Sequence, residues 1–246
     1  MKIKNMSIQL RLFLFLILFF RFLSLEKFNT LLFIKSLIAL VTAVGIDCLL
    51  CFLQKKKFKI NESPLISGLI VGFVLASSLS WWLFSLAAAF SILSKYIIRF
   101  KGRHIFNPAA LGIFLVVAFF GATTQWNGAY SWYIIIPVGL YFAKRIRKLS
   151  IVFTYFLTYI LMSAIMAYLT DTYFLDQISY ANYFFIFIML IEPKTSPFLR
   201  IEKIVFAVIV NLLAFALYFV ELPFDALLPA LLISNFAFCL YTTRSS

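Results

Sequence analysis

Apolar residues run along this chain with few interruptions, and the polar residues that break the runs gather in short clusters. The runs are continuous rather than alternating. That is a helical membrane pattern; barrel strands alternate apolar and polar residues over roughly 10 positions. A helix needs about 17–25 residues to cross the hydrocarbon core of a bilayer. On that length the pattern predicts ten spans, over 8–25, 29–53, 63–80, 81–99, 105–123, 130–144, 149–169, 178–192, 204–220 and 223–242. The sixth carries Pro137 and the eighth ends at Glu192-Pro193. Short or proline-interrupted spans are where transporter-like folds place broken helices and binding sites. The connections are short and show no linker or low-complexity stretch. The chain therefore reads as a single polytopic membrane domain over residues 1–246.

Composition agrees. The chain is 64% hydrophobic, 19% aromatic and only 13% charged, with a mean hydropathy of +1.02. A soluble fold has no means of hiding so much apolar surface. The net charge of +13 would suggest nucleic acid in a soluble protein. Here the charges sit between apolar runs, where they encode topology. With the N-terminus inside, nineteen of the 22 Lys and Arg fall on the cytoplasmic side. They are Lys2, Lys4 and Arg11; Lys55, Lys56, Lys57 and Lys59; Lys95, Arg99, Lys101 and Arg103; Lys144, Arg145, Arg147 and Lys148; Lys194, Arg200 and Lys203; and Arg244. Arg21, Lys27 and Lys35 fall on or near the outside, beside Glu26, Asp171, Asp176, Glu221 and Asp225. The positive-inside rule then predicts ten spans with both termini cytoplasmic and no nucleic-acid partner. Met1 to Phe20 is shaped like a signal peptide, but no small-residue cleavage site follows, so it reads as a retained first span.

Three polar places interrupt the apolar pattern in ways that suggest chemistry. The stretch Lys101 to Gly112 holds the one histidine, His104. Gly102 permits a tight turn. Pro108 suits the first turn of a helix, and Asn107 before it can cap free N–H groups. The stretch reads as a basic loop that turns into a membrane helix. It is either a well-capped helix start or a ligand site where helix N–H groups attract an anion beside Arg103 and His104. The second place is Glu192-Pro193-Lys194-Thr195-Ser196-Pro197, where two prolines break a helix and expose two hydroxyls. By the predicted topology both corners lie at the cytoplasmic face, one in each half of the chain; either they meet around a shared site or the second is an ordinary turn between two spans. The third is Asp47, a carboxylate inside a span and hence a candidate for an ion path, or else the partner of Lys55 or a neighbour.

Other features read as packing. Ser67, Gly68 and Gly72 form a small-residue face after Ser63-Pro64. Cys48 and Cys51 share a helix face but have no further ligands near them, so no metal site is expected. One histidine rules out a bis-histidine haem within the chain.

Taken in order, Ser63-Pro64-Leu65-Ile66-Ser67-Gly68-Leu69-Ile70, Gly102-Arg103-His104-Ile105-Phe106-Asn107-Pro108-Ala109 and Glu192-Pro193-Lys194-Thr195-Ser196-Pro197 resemble the RnfD/NqrB family patterns S-x-L-x-T-G-L-L, G-x-N-x-F-N-P-A and D-P-V-T-S-P. Pro223 to Tyr241, with Asn235, resembles the family's last span. The resemblance covers about residues 30–242. It implies two five-helix repeats akin to urea transporters, in a multi-pass protein of the bacterial inner (cell) membrane. It implies flavin-linked electron transfer (FMN or riboflavin) coupled to ion movement, with partner subunits of a membrane redox complex. On this reading Arg103, His104, Asn107, Thr195 and Ser196 contact the cofactor.

One departure is large. Family members carry a long segment after the fifth span with a Ser/Thr-Gly-Ala-Thr motif whose threonine holds FMN through a phosphoester. Here fewer than ten residues separate spans five and six, and Gly121-Ala122-Thr123-Thr124 lacks the preceding Asp and Ser/Thr. Thr123 is therefore set below the two corners as a flavin site. The competing expectation is a small-solute or ion channel or transporter on the same fold, with Asn107, Thr195 and Asp47 lining a path and no redox role. Whether the chain is itself enzymatic stays open.

Overall fold

A computed structural model describes residues 6–26, 30–55, 62–220 and 222–244. Lys2, Lys4, Lys27, Lys56, Lys57, Lys59 and Glu221 lie outside the described residues, as do the side chains of Arg103 and Arg244. The helices are α1 Ile8–Glu26, α2 Thr30–Leu53, α3 Glu62–Val74, α4 Trp81–Ile97, α5 Pro108–Phe120, α6 Trp132–Arg145, α7 Leu149–Thr170, α8 Phe174–Ser179, α9 Arg200–Tyr218 and α10 Leu227–Arg244. A π-helical turn covers Phe185–Met189, and a two-stranded hairpin joins β1 Arg99–Phe100 to β2 Arg103–His104. The helical membrane class read from the sequence holds. Among the described residues α1, α2, α7 and α9 are long and apolar enough to cross a membrane, and α3, α4, α5 and most of α10 are shorter apolar helices.

The chain forms two compact units, Met1–Ser131 and Trp132–Ser246. In the first, α1 packs on α3 through rings: Phe20 meets Phe73 edge-on at 4.7 Å between centroids, and Phe19 stacks on Phe73 at 5.5 Å. The small-residue face of α3 lies against α2, as the sequence predicts. A Cβ built on Gly68 would stand 2.6 Å from the Leu40 Cα, and one on Gly72 would overlap Ser36. Likewise a Cβ on Gly112 of α5 would overlap the Ala87 carbonyl and Ser91 of α4. In the second unit, Tyr159 of α7 meets Phe215 of α9 at 5.8 Å, and Phe206 of α9 meets Phe238 of α10 at 5.3 Å. Gly139 of α6 lies against the Phe187 ring of the π-helical turn.

Three spans are shorter than the apolar pattern suggests. The third, expected over 63–80, is helical only to Val74. The fifth, expected over 105–123, runs from Pro108 to Phe120, where Gly121 caps it at φ 64° in the left-handed region. The eighth, expected over 178–192, is divided between the end of α8 and the buried π-helical stretch. Each 13-residue helix rises about 20 Å, short of a hydrocarbon core of about 30 Å. The pattern overshot because the small and hydroxyl residues that follow, Ser77, Ser78 and Ser80 after α3 and Gly121 to Thr124 after α5, are too weakly polar for hydropathy alone to mark the helix end.

Candidate functional site

The first corner begins as a hairpin rather than the loop expected. Arg99 pairs with His104 and Phe100 with Arg103. The connecting residues Lys101 and Gly102 both have positive φ, 45° and 81°, which is the two-residue turn that matches strand twist. Gly102 takes that angle without steric cost. His104 is buried, and Asn107 is 2% exposed. The Asn107 Oδ1 accepts from the Ala110 N–H at 3.1 Å and its carbonyl accepts from the Leu111 N–H at 3.0 Å. Pro108 fills the first helical position. The capped helix start is thus present in full, on a helix locked against α4 through Gly112.

The second corner closes on itself. The Thr195 Oγ1 donates to the Glu192 carboxylate at 3.1 Å, and the Ser196 Oγ donates to the Glu192 carbonyl at 2.7 Å. The Thr195 carbonyl accepts from the Asn235 amide at 3.3 Å. Lys148 completes the turn from the start of α7. It is fully buried, donates to the Ser196 carbonyl at 2.9 Å and to the Pro197 carbonyl, and sits 4.1 Å from the Phe198 ring centroid. Burial, helped by nearby Lys203 and opposed by Glu202, pushes its pKa down to about 7. The sequence shows Lys148 only as one of four clustered topology charges.

A third arrangement joins segments far apart in the sequence. After α3 and α5 the chain continues as extended backbone, and these two segments satisfy each other. The Ala76 N–H donates to the Thr123 carbonyl at 3.0 Å, and the Gln125 N–H donates to the Val74 carbonyl at 2.8 Å. The Asn127 amide reaches the carbonyls of Phe73 at 3.5 Å and Leu75 at 3.3 Å. Lys35 of α2, 8% exposed, donates to the carbonyls of Ser77 at 2.7 Å and Leu79 at 2.6 Å. Non-helical backbone inside a membrane protein must be covered in this way, because hydrocarbon offers no partners. The signals were there: a lysine inside an apolar run, and Gln125 and Asn127 in an otherwise neutral loop. Thr123 contributes its carbonyl to this pairing and leaves its side chain exposed.

Asp47 is buried on α2 and accepts a hydrogen bond from the Tyr96 hydroxyl of α4 at 2.8 Å. Cys51, one turn along, lies 3.5 Å from the same hydroxyl. Asp47 therefore stands in a polar contact between α2 and α4.

The sequence of residues 1–133 matches the NQR2, RnfD, RnfE family. The chain belongs to that family. The matched segment takes in the whole first unit, with the hairpin, the Asn107 cap and the broken α3 and α5, so these features sit on the family's own part of the chain. The Glu192 to Pro197 turn lies beyond it. The chain is 33% identical over 99 residues to the D-subunit of the ion-translocating oxidoreductase complex of Aeromonas salmonicida, which is 38% of this chain and 28% of that protein. It is 33% identical over 98 residues to the same protein of Aeromonas hydrophila and 31% identical over 98 residues to that of Cronobacter sakazakii. Each match covers 28% of the relative's length.

Proposed function

We propose that this chain is an integral-membrane subunit of an Rnf/Nqr-type complex that couples electron transfer to ion movement in the bacterial cell membrane. The observation that carries the reading is the family match across the first unit. Relatives named as the D-subunit of an ion-translocating oxidoreductase complex support it. The reading includes partner subunits that deliver the electrons. It also includes ten spans with both termini cytoplasmic, arranged as two five-span repeats. The third span of each five is irregular, shortened after Val74 in one unit and π-helical over Phe185–Met189 in the other, though the fifth span of the first unit is shortened as well.

A flavin, as FMN or riboflavin, belongs to the same proposal, and the residues fit it unequally. At the second corner Thr195 and Ser196 give their hydroxyl protons to Glu192, so that turn does not fit as a donor set for a flavin. At the start of α5 Asn107 already takes the Ala110 and Leu111 N–H groups, so what that corner offers an anionic group is the helix dipole beside the basic residues of the hairpin sequence. The deciding experiment is an absorption spectrum and a denaturing-gel fluorescence image of the purified chain and of its Asn107→Ala variant. Flavin absorbance that falls in Asn107→Ala supports the reading. A covalently fluorescent band lost in Thr123→Ala moves the flavin to Thr123. A colourless protein that changes liposome permeability supports a channel or transporter instead.

A further inference from the structure

The interface of α7 and α9 in the second unit holds polar groups that the corners do not use. The two helices run in parallel at a constant offset. The Lys203 ammonium donates to the Arg147 carbonyl, Tyr155 faces Asn211, and Tyr159 meets Phe215. A short connection returns α10 antiparallel along α9, with Phe206 against Phe238. Asn211 lies just over one turn beyond Phe206, and Ser234 just over one turn before Phe238, so the two fall at one level. Both are 0% exposed. Among the described residues neither side-chain atom of Asn211 has a hydrogen-bond partner, and neither does the Ser234 hydroxyl. The Tyr155 side chain lies beside the Asn211 amide. Unpaired polar groups are strongly disfavoured in a buried apolar setting, and two such residues at one level call for a polar guest.

We propose that Asn211, Tyr155 and Ser234 form a coordination site for a small monovalent cation. The chemistry of the set selects that class. An amide oxygen and two hydroxyl oxygens are hard, neutral ligands. A divalent ion would require carboxylates in the first coordination sphere. The sign follows from the surroundings. Asp225, two residues before α10, lies within electrostatic reach of Tyr155 and favours a cation over an anion. Lys148 and Lys203 stand at the opposite end of the same interface. The site thus has an acidic side and a basic side along the helix axis, and a cation would reach it from the acidic one. The inference rests on the ion-translocation reading for its biological role, but not for binding.

The test uses the full chain purified in detergent. Its thermal midpoint is measured in the chlorides of sodium, lithium, potassium and choline at equal ionic strength. A ligand that binds only the folded state raises the midpoint in a saturable way. The expected result is a saturable rise with an alkali cation over choline, lost in Asn211→Leu and weakened in Ser234→Ala. Ser163→Ala is the control. Its hydroxyl is also buried without a partner among the described residues, but it lies two turns further along α7. It should keep the full rise. A wild-type chain that does not distinguish alkali cations from choline overturns the proposal. So does a rise that survives both Asn211→Leu and Ser234→Ala, or one lost equally in Ser163→Ala. Flavin content and co-purification with redox subunits test the earlier reading separately, and either result can fail with the other intact.

Discussion

The Lys35 ammonium donates a hydrogen bond to the Leu79 carbonyl at 2.6 Å, across 44 residues of sequence. With its second bond, to Ser77, it holds the turn by which the chain passes from α3 to α4. Lys35→Met keeps the length of the side chain and removes both donors. Two carbonyls are then left unpaired, each at a cost of about 1–3 kcal/mol. A clearly lower thermal midpoint in detergent is expected, with partial recovery in Lys35→Arg. A midpoint unchanged in Lys35→Met would mean that water already reaches this turn.

Lys148 gives the fold a pH dependence of predictable sign. Its pKa falls from 10.5 to about 7 on burial. Over about pH 7 to 10.5 the unfolded chain holds a proton on this amine that the folded chain has released. Stability contributed by this residue therefore rises with pH through that window and is lowest below about 7, where the ammonium is buried charged. A detergent unfolding series from neutral to alkaline pH should show this rise. In Lys148→Met the slope should flatten, and overall stability should drop because the Ser196 and Pro197 carbonyls lose their donor.

These two lysines mark where sequence reading stopped. The Asn107-Pro108 cap and the Gly102 turn were legible because both follow from local rules about φ and about free N–H groups. The Gly68 and Gly72 face was legible because helical spacing alone puts them together. The end of α3 was not, because Val74 is followed by Leu75, Ala76 and weakly polar serines rather than by a helix breaker, and its carbonyl is taken by Gln125 and Trp126, some fifty residues on. Thr195 and Ser196 looked available for a ligand as a linear string; the turn folds both hydroxyls onto Glu192. Lys148 looked like a topology charge because its burial depends on a corner 48 residues away.

Close packing at Gly139 yields a paired test. A Cβ there would run into the Phe187 ring of the π-helical turn. Gly139→Ala should lower stability by about 1–3 kcal/mol, the usual cost of overpacking a filled core. Because the obstacle includes the Phe187 Cγ and Cδ1, which alanine lacks, Phe187→Ala should recover part of the loss, and the double variant should be more stable than the sum of the singles predicts. Strict additivity of the two changes would show that the ring does not set the α6 spacing.

Topology is testable at the two ends of α6. Asn127 is a poor probe, since it is 3% exposed and its amide serves the Phe73 and Leu75 carbonyls. Tyr130, just before the helix, and Lys144, in its last turn, are both exposed. Single cysteines at these positions, in a background with Cys48, Cys51 and Cys239 replaced, report on each side. The charge bias predicts that a membrane-impermeant thiol reagent modifies Tyr130→Cys in intact cells and Lys144→Cys only after permeabilisation. Lys144, Arg145, Arg147 and Lys148 follow one another at that end, and moving so many cations across a bilayer is strongly disfavoured. The reverse labelling pattern would invert the orientation. Modification of both positions from the same side would show that α6 does not cross, and the ten-span count would fall with it.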